Sequence, residues 1–163
     1  MDITHESICE PVGILPWVQY FSMFVVIDSF LTGLFLGAGM NTAYDKKTRW
    51  FLLHSIGNAI TMFTIWDEVI LGITHPDDMY QMSTNHKGTI IVYTLHMYHS
   101  LFFKLTLQDW IHHIVFVFMG LTYSLLYQPF LAAALPLATI NGIPGMIDYF
   151  LISMVRLNLV DRK

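Results

Sequence analysis

Five runs of mainly apolar residues follow one another along the chain, at about 14–40, 50–73, 88–107, 110–128 and 129–156, with only short polar connections between them. Each is about 20 residues or more, the length a helix needs to cross the hydrocarbon core of a bilayer with its backbone groups bonded internally. Composition agrees. Charged residues make up 12 % of the chain, against roughly 25 % in soluble domains, and the mean hydropathy is +0.53. So few charges do not cover a water-facing surface, and a hydrocarbon solvent removes the need. The expected fold is all-α: a multi-pass transmembrane helical bundle of about five spans, forming one domain over residues 1–163. The fifth run carries Pro136, Gly142, Pro144 and Gly145, so it is expected to be kinked or split near its middle.

The ends and loops set topology. The first residues, MDITHESICE, are acidic, so neither a cleavable signal peptide nor an Arg-rich transit peptide is expected, and the first apolar run does the targeting. Seven residues follow Arg156, which leaves no room for a sixth span. With the N-terminus outside, Lys46, Lys47, Arg49, Lys104, Arg156, Arg162 and Lys163 fall on the inner side and Lys87 alone on the outer side. This asymmetry is the positive-inside pattern, and it places the C-terminus inside. Cys9 is the only cysteine, so an intramolecular disulfide is excluded. The net charge of −4 comes with no basic patch suited to nucleic acid.

Ionisable groups within hydrocarbon are costly and call for partners or water. His54, Asn58, His96, His99, His112, His113, Asn141 and Asp148 lie within or at the ends of the runs. Helical rise places His54 roughly 6 Å, and His99 and Asp148 roughly 12 Å, from the inner end. Asn58 follows His54 by one turn, and His96 and His99 share a face at i,i+3. Four of the five runs therefore send polar side chains into the same half of the bilayer. Asp109 precedes His112 by three and His113 by four; a carboxylate at the helix start is placed to cap it and to accept from an imidazole, raising its basicity. Asp67 and Glu68, nearer the outer end, are expected to face water. Gly33 and Gly37 form a GxxxG, expected to serve helix packing.

Three segments carry a family resemblance: RWFLLHSIGNAIT (Arg49–Thr61), LHMYHSLFFKLTLQDWIHH (Leu95–His113) and NGIPGMIDYFLISMVR (Asn141–Arg156). Together they resemble the TLC domain family, the group containing ceramide synthases and lipid-sensing relatives, over about 50–156. The D-x-x-H-H of Asp109, His112 and His113 looks like the motif leading the catalytic helix of the synthases. Asn141-Gly-Ile-Pro-Gly stands where the synthases carry a further aspartate motif, so the chain is closer to non-synthase members. The resemblance implies a membrane protein that binds or handles lipid. His54, Asn58, His96, His99, Asn141 and Asp148 are the expected lipid contacts; were it an acyltransferase, His112 and His113 would act as base or nucleophile with Asp109 orienting them. No metal or cofactor is assigned, since the histidines do not form the boxes of membrane di-iron enzymes. The alternative is an accessory subunit of a larger membrane complex. Expected partners are membrane lipids and, in the alternative, other membrane subunits, not nucleic acid. The first reading goes with the endoplasmic reticulum, the second equally with the mitochondrial inner membrane.

Overall fold

A computed structural model describes residues 13–40, 42–79, 86–127 and 133–161. The acidic N-terminal segment with Cys9, and the inner cations Arg162 and Lys163, lie outside the described residues. Within them every regular element is helical. Helix α1 spans Ile14–Gly37, α2 Thr42–Thr74 and α3 Lys87–Phe102. The run 107–127, here α4, is α-helical over Leu107–His112, π-helical over His113–Leu121 and α-helical again over Thr122–Tyr127. The last, α5, joins Ala134–Pro136, a π-helical Leu137–Gly142 and Ile143–Arg156.

Among the described residues four helices are long and apolar enough to cross a membrane: Ile14–Gly37, Lys46–Thr74, Leu107–Leu126 and Ala134–Arg156. The third apolar run differs from expectation. Its helix stops at Phe102 after 16 residues, about 24 Å, because Phe103 turns extended at φ −120°, ψ 151°. Ten of those 16 residues are buried, so α3 is the inner helix around which the others gather. Outward faces elsewhere are apolar, with Phe30 on α1 and Phe116 on α4 each about two-thirds exposed.

Helix α2 packs against α1, α3 and α5, while α4 lies on α3 through its π-helical segment. Two apolar clusters hold the bundle. Phe24, Leu53, Ile91, Leu95, Tyr98 and Phe103 join α1, α2 and α3. Met62, Ile65, Val69, Val92, Leu137 and Ala138 join α2, α3 and α5. Close approach comes from glycines other than the expected pair. Among the described residues nothing lies within 4 Å of a Cβ added at Gly33 or Gly37, whereas one at Gly142 would strike Met62, and one at Gly145 would strike Asn58. The GxxxG expectation is thus corrected among the described residues: the glycines that let helices meet include Gly142 and Gly145 of Asn141-Gly-Ile-Pro-Gly, together with Gly57 against Leu95 and Gly88 against Ile65. The irregularity of α5 takes the form of wide π turns ahead of Pro144, which has no N–H to continue an α-helical ladder.

Asp28, in the middle of α1, is buried. Arg49 of α2 donates to it through Nε (3.0 Å) and a terminal nitrogen (3.2 Å), and the Tyr98 hydroxyl of α3 donates to it at 2.9 Å. One carboxylate thereby ties three helices together and meets the demand for partners that an apolar setting imposes.

Candidate functional site

The histidines converge. His54 from α2 and His113 from α4 each touch both His96 and His99 of α3: ring centroids lie 5.3 and 4.8 Å apart for His54, and 4.9 and 5.0 Å for His113. All four are buried. His112 stands at the edge of the group, exposed, with its ring 5.6 Å from that of His96. The adjacent pair thus divides, one ring inside the bundle and one outside.

Hydrogen bonding fixes which nitrogen of each ring is free. Nδ1 of His54 lies 3.0 Å from the Trp50 carbonyl, and Nδ1 of His96 lies 2.7 Å from that of Val92. A carbonyl only accepts, so both Nδ1 atoms carry the proton, and Nε2 of each neutral ring is an acceptor. Ser100 donates its hydroxyl to the His96 carbonyl at 2.8 Å and meets Nδ1 of His113 at 2.8 Å. Its oxygen is then the acceptor toward His113, which takes the same tautomer. Nδ1 of His99, by contrast, is buried without a partner, as is Nε1 of Trp50. Those two rings are 4.5 Å apart. Among the described residues no group of three or more His, Cys, Asp or Glu side chains is disposed to hold a metal ion.

Asp109 lies elsewhere than at the imidazoles. Its carboxylate accepts from the backbone N–H (2.8 Å) and hydroxyl (2.7 Å) of Thr106, while the Thr106 hydroxyl accepts from the Asp109 N–H (3.3 Å). Thr106 is the N-cap and Asp109 its reciprocal partner three residues on, a capping box. The expectation that Asp109 itself caps the helix and bonds an imidazole is corrected: α4 starts earlier, at Leu107, and Ser100 takes the orienting place beside His113. The sequence held the signal, since T-x-x-D is the capping-box spacing.

The contribution of α5 is also shifted by one residue. Asp148 is exposed, and it is Tyr149 that reaches the cluster, its ring 5.0 Å from that of His54 and 5.9 Å from that of Trp50. Asn58 is buried against Gly145. Asn141 is half-buried in the π-helical part of α5, outside the ring contacts that join the histidines.

Beside the cluster opens a cavity of about 450 Å³. Trp50, Phe51, His99 and Phe103 line it with Lys46, Lys47, Lys104 and Asp109. Of the clustered histidines, His99 is the one that lines it. Lys46 lies 5.8 Å from the Phe103 ring centre and Arg49 6.0 Å, within reach of a cation–π contact. Arg156 donates to the Thr48 hydroxyl at 3.2 Å. The cations of the described chain expected on the inner side therefore gather at this end of the bundle, while Lys87 begins α3 at the other. Ser100, Trp50 and Tyr149 were not anticipated as site residues from sequence.

No protein-family model, curated protein or solved structure matches this chain.

Proposed function

We propose that this chain is a multi-pass membrane protein, N-terminus outside and C-terminus inside, that holds a lipid in the cavity at the cationic end of its bundle. The observation that carries the reading is that cavity. Its volume falls in the about 300–1,000 Å³ range of small-molecule sites. Aromatic rings and a buried imidazole line it, and lysines surround it. Apolar walls beneath a charged rim suit an amphiphile whose head stays at the membrane surface. The helices long enough to cross a membrane and the grouping of cations at one end support the topology. The TLC-like segments Arg49–Thr61 and Leu95–His113 supply most of the walls.

Binding, rather than acyl transfer, is the function put forward. Asp109 is engaged by Thr106, and His112 and His113 do not line the cavity. The test is native mass measurement of the protein extracted in mild detergent from the membrane in which it is made, with analysis of its bound lipid. The reading expects a monomer or dimer carrying stoichiometric lipid. A lipid-free protein, or a large complex of constant composition, would replace it with the accessory-subunit reading.

A further inference from the structure

The chemistry of the cavity narrows what lipid it takes, on the premise that the lipid-binding reading holds. We infer that the ligand is a lipid with a phosphate-class anionic head, held among Lys46, Lys47 and Lys104, whose head and apolar part are joined through a carbonyl-bearing linkage that meets Trp50 and His99. Three observations lead there.

The first is charge. Three lysines and one carboxylate line the cavity, an excess of two positive charges. The carboxylate is the one bonded to Thr106. The arginines at this end are engaged elsewhere, Arg49 with Asp28 and Arg156 with Thr48. Lys47 and Lys104 are exposed, and among the described residues no ion pair involves them. Converging ammonium groups are a point-charge site for an anion.

The second is the pair of buried nitrogens without partners, Trp50 Nε1 and His99 Nδ1. Both residues line the cavity, and His99 is 1 % exposed. An indole N–H only donates, so its missing partner is an acceptor oxygen. An ester, amide or thioester carbonyl supplies one; a hydroxyl beside it satisfies Nδ1 of His99 in either tautomer, and an N–H satisfies it where Nδ1 is the acceptor. Leaving such a group buried and unbonded is costly, so a ligand that satisfies it gains affinity.

The third is order. Lys46 and Lys47 precede Trp50 by about one turn on the same helix, at the end where α2 begins. A head at the lysines and a linkage one turn deeper, at Trp50 and His99, follow the order of an ester-linked phospholipid from surface inward.

The experiment titrates delipidated full-length protein in detergent with phosphatidic acid, phosphatidylcholine, diacylglycerol or inorganic phosphate, read by native mass spectrometry. Phosphatidic acid is expected to bind at least tenfold more tightly than diacylglycerol. Replacing both Lys47 and Lys104 with Gln should abolish most of that ratio, while Lys87→Gln at the opposite end leaves it unchanged. Trp50→Phe keeps the ring and removes the N–H; it should weaken both lipids about two- to tenfold with their ratio preserved. Thermal midpoints of the detergent-solubilised variants show that each is folded. Equal binding of the two lipids, or a ratio unmoved by the lysine changes, overturns the inference while lipid binding itself stands. Displacement by inorganic phosphate, with phosphatidic acid no better, assigns the rim to a free anion and also overturns it. No binding of any lipid removes the premise instead.

Discussion

Side chains buried in an apolar bundle are specified by their partners, and those partners are long-range. Asp28 shows it. The sequence marks an acid in the first apolar run and counts Arg49 among the inner cations, but nothing local joins them or brings Tyr98 to the same carboxylate. Removing the charge of Asp28 strands a guanidinium among apolar residues, so Asp28→Asn is expected to cost about 3 kcal/mol. Tyr98→Phe leaves the ion pair in place and should cost about 1 kcal/mol; unfolding of both variants in detergent measures the difference, and equal losses would deny the pair its role. The histidines were partly legible, because helical rise fixes depth: His54, His96, His99 and His113 do share one level. The direction each faces around its helix axis was not. Ser100 holds His113 by Nδ1, so Ser100→Ala should destabilise by about 1–3 kcal/mol through an orphaned buried ring. His112→Ala, at an exposed position, should fall within about 0.5 kcal/mol of the parent. A reversed order would place the wrong imidazole inside.

At the scale of the element, caps and wide turns decide what periodicity cannot. Hydropathy runs on without a break through Leu101-Phe-Phe-Lys-Leu, so the end of α3 is invisible to it. The capping box at Thr106 and Asp109 is what starts α4, and its register then sends His113 inward. Thr106→Ala removes the cap hydroxyl and should cost about 1 kcal/mol, with faster amide exchange confined to the first turn of α4; unchanged exchange there would refute the cap. The π-helical stretches His113–Leu121 and Leu137–Gly142 rotate the residues C-terminal to them relative to an ideal α-helix. That is a physical reason why α5 presents Tyr149 rather than Asp148 to the cluster, and why counting in steps of 3.6 residues missed it. The glycines sort the same way. Gly33→Ala meets open space and should be neutral or stabilising by up to about 1 kcal/mol, since alanine is the better helix former. Gly142→Ala drives a methyl against Met62 and toward the Leu137 carbonyl at 3.1 Å, and overpacking of that kind costs about 1–3 kcal/mol.

Across the whole molecule, the apolar runs and the cation asymmetry were legible because length and charge count survive any error in helix facing. The weak point of a five-span arrangement is α3. At about 24 Å it falls short of the roughly 30 Å hydrocarbon core, yet it is the most enclosed helix of the bundle, so over Gly88–His99 neighbouring side chains rather than lipid surround most of its length. A short helix shielded in this way still crosses if the chain enters at Lys87 and leaves at Lys104 on opposite faces. The grouping of Lys104 with Lys46 and Lys47 around one cavity, with Lys87 at the far end of α3, places those two loops on different sides. With Cys9 replaced by Ser, single cysteines at positions 87 and 104 test this in sealed vesicles. A membrane-impermeant maleimide added outside should label one of them, and the other only after the vesicles are opened. Labelling of both from the same side would make α3 a re-entrant helix. The C-terminus would then lie on the same side as the N-terminus, and the positive-inside assignment of the cavity would fall with it.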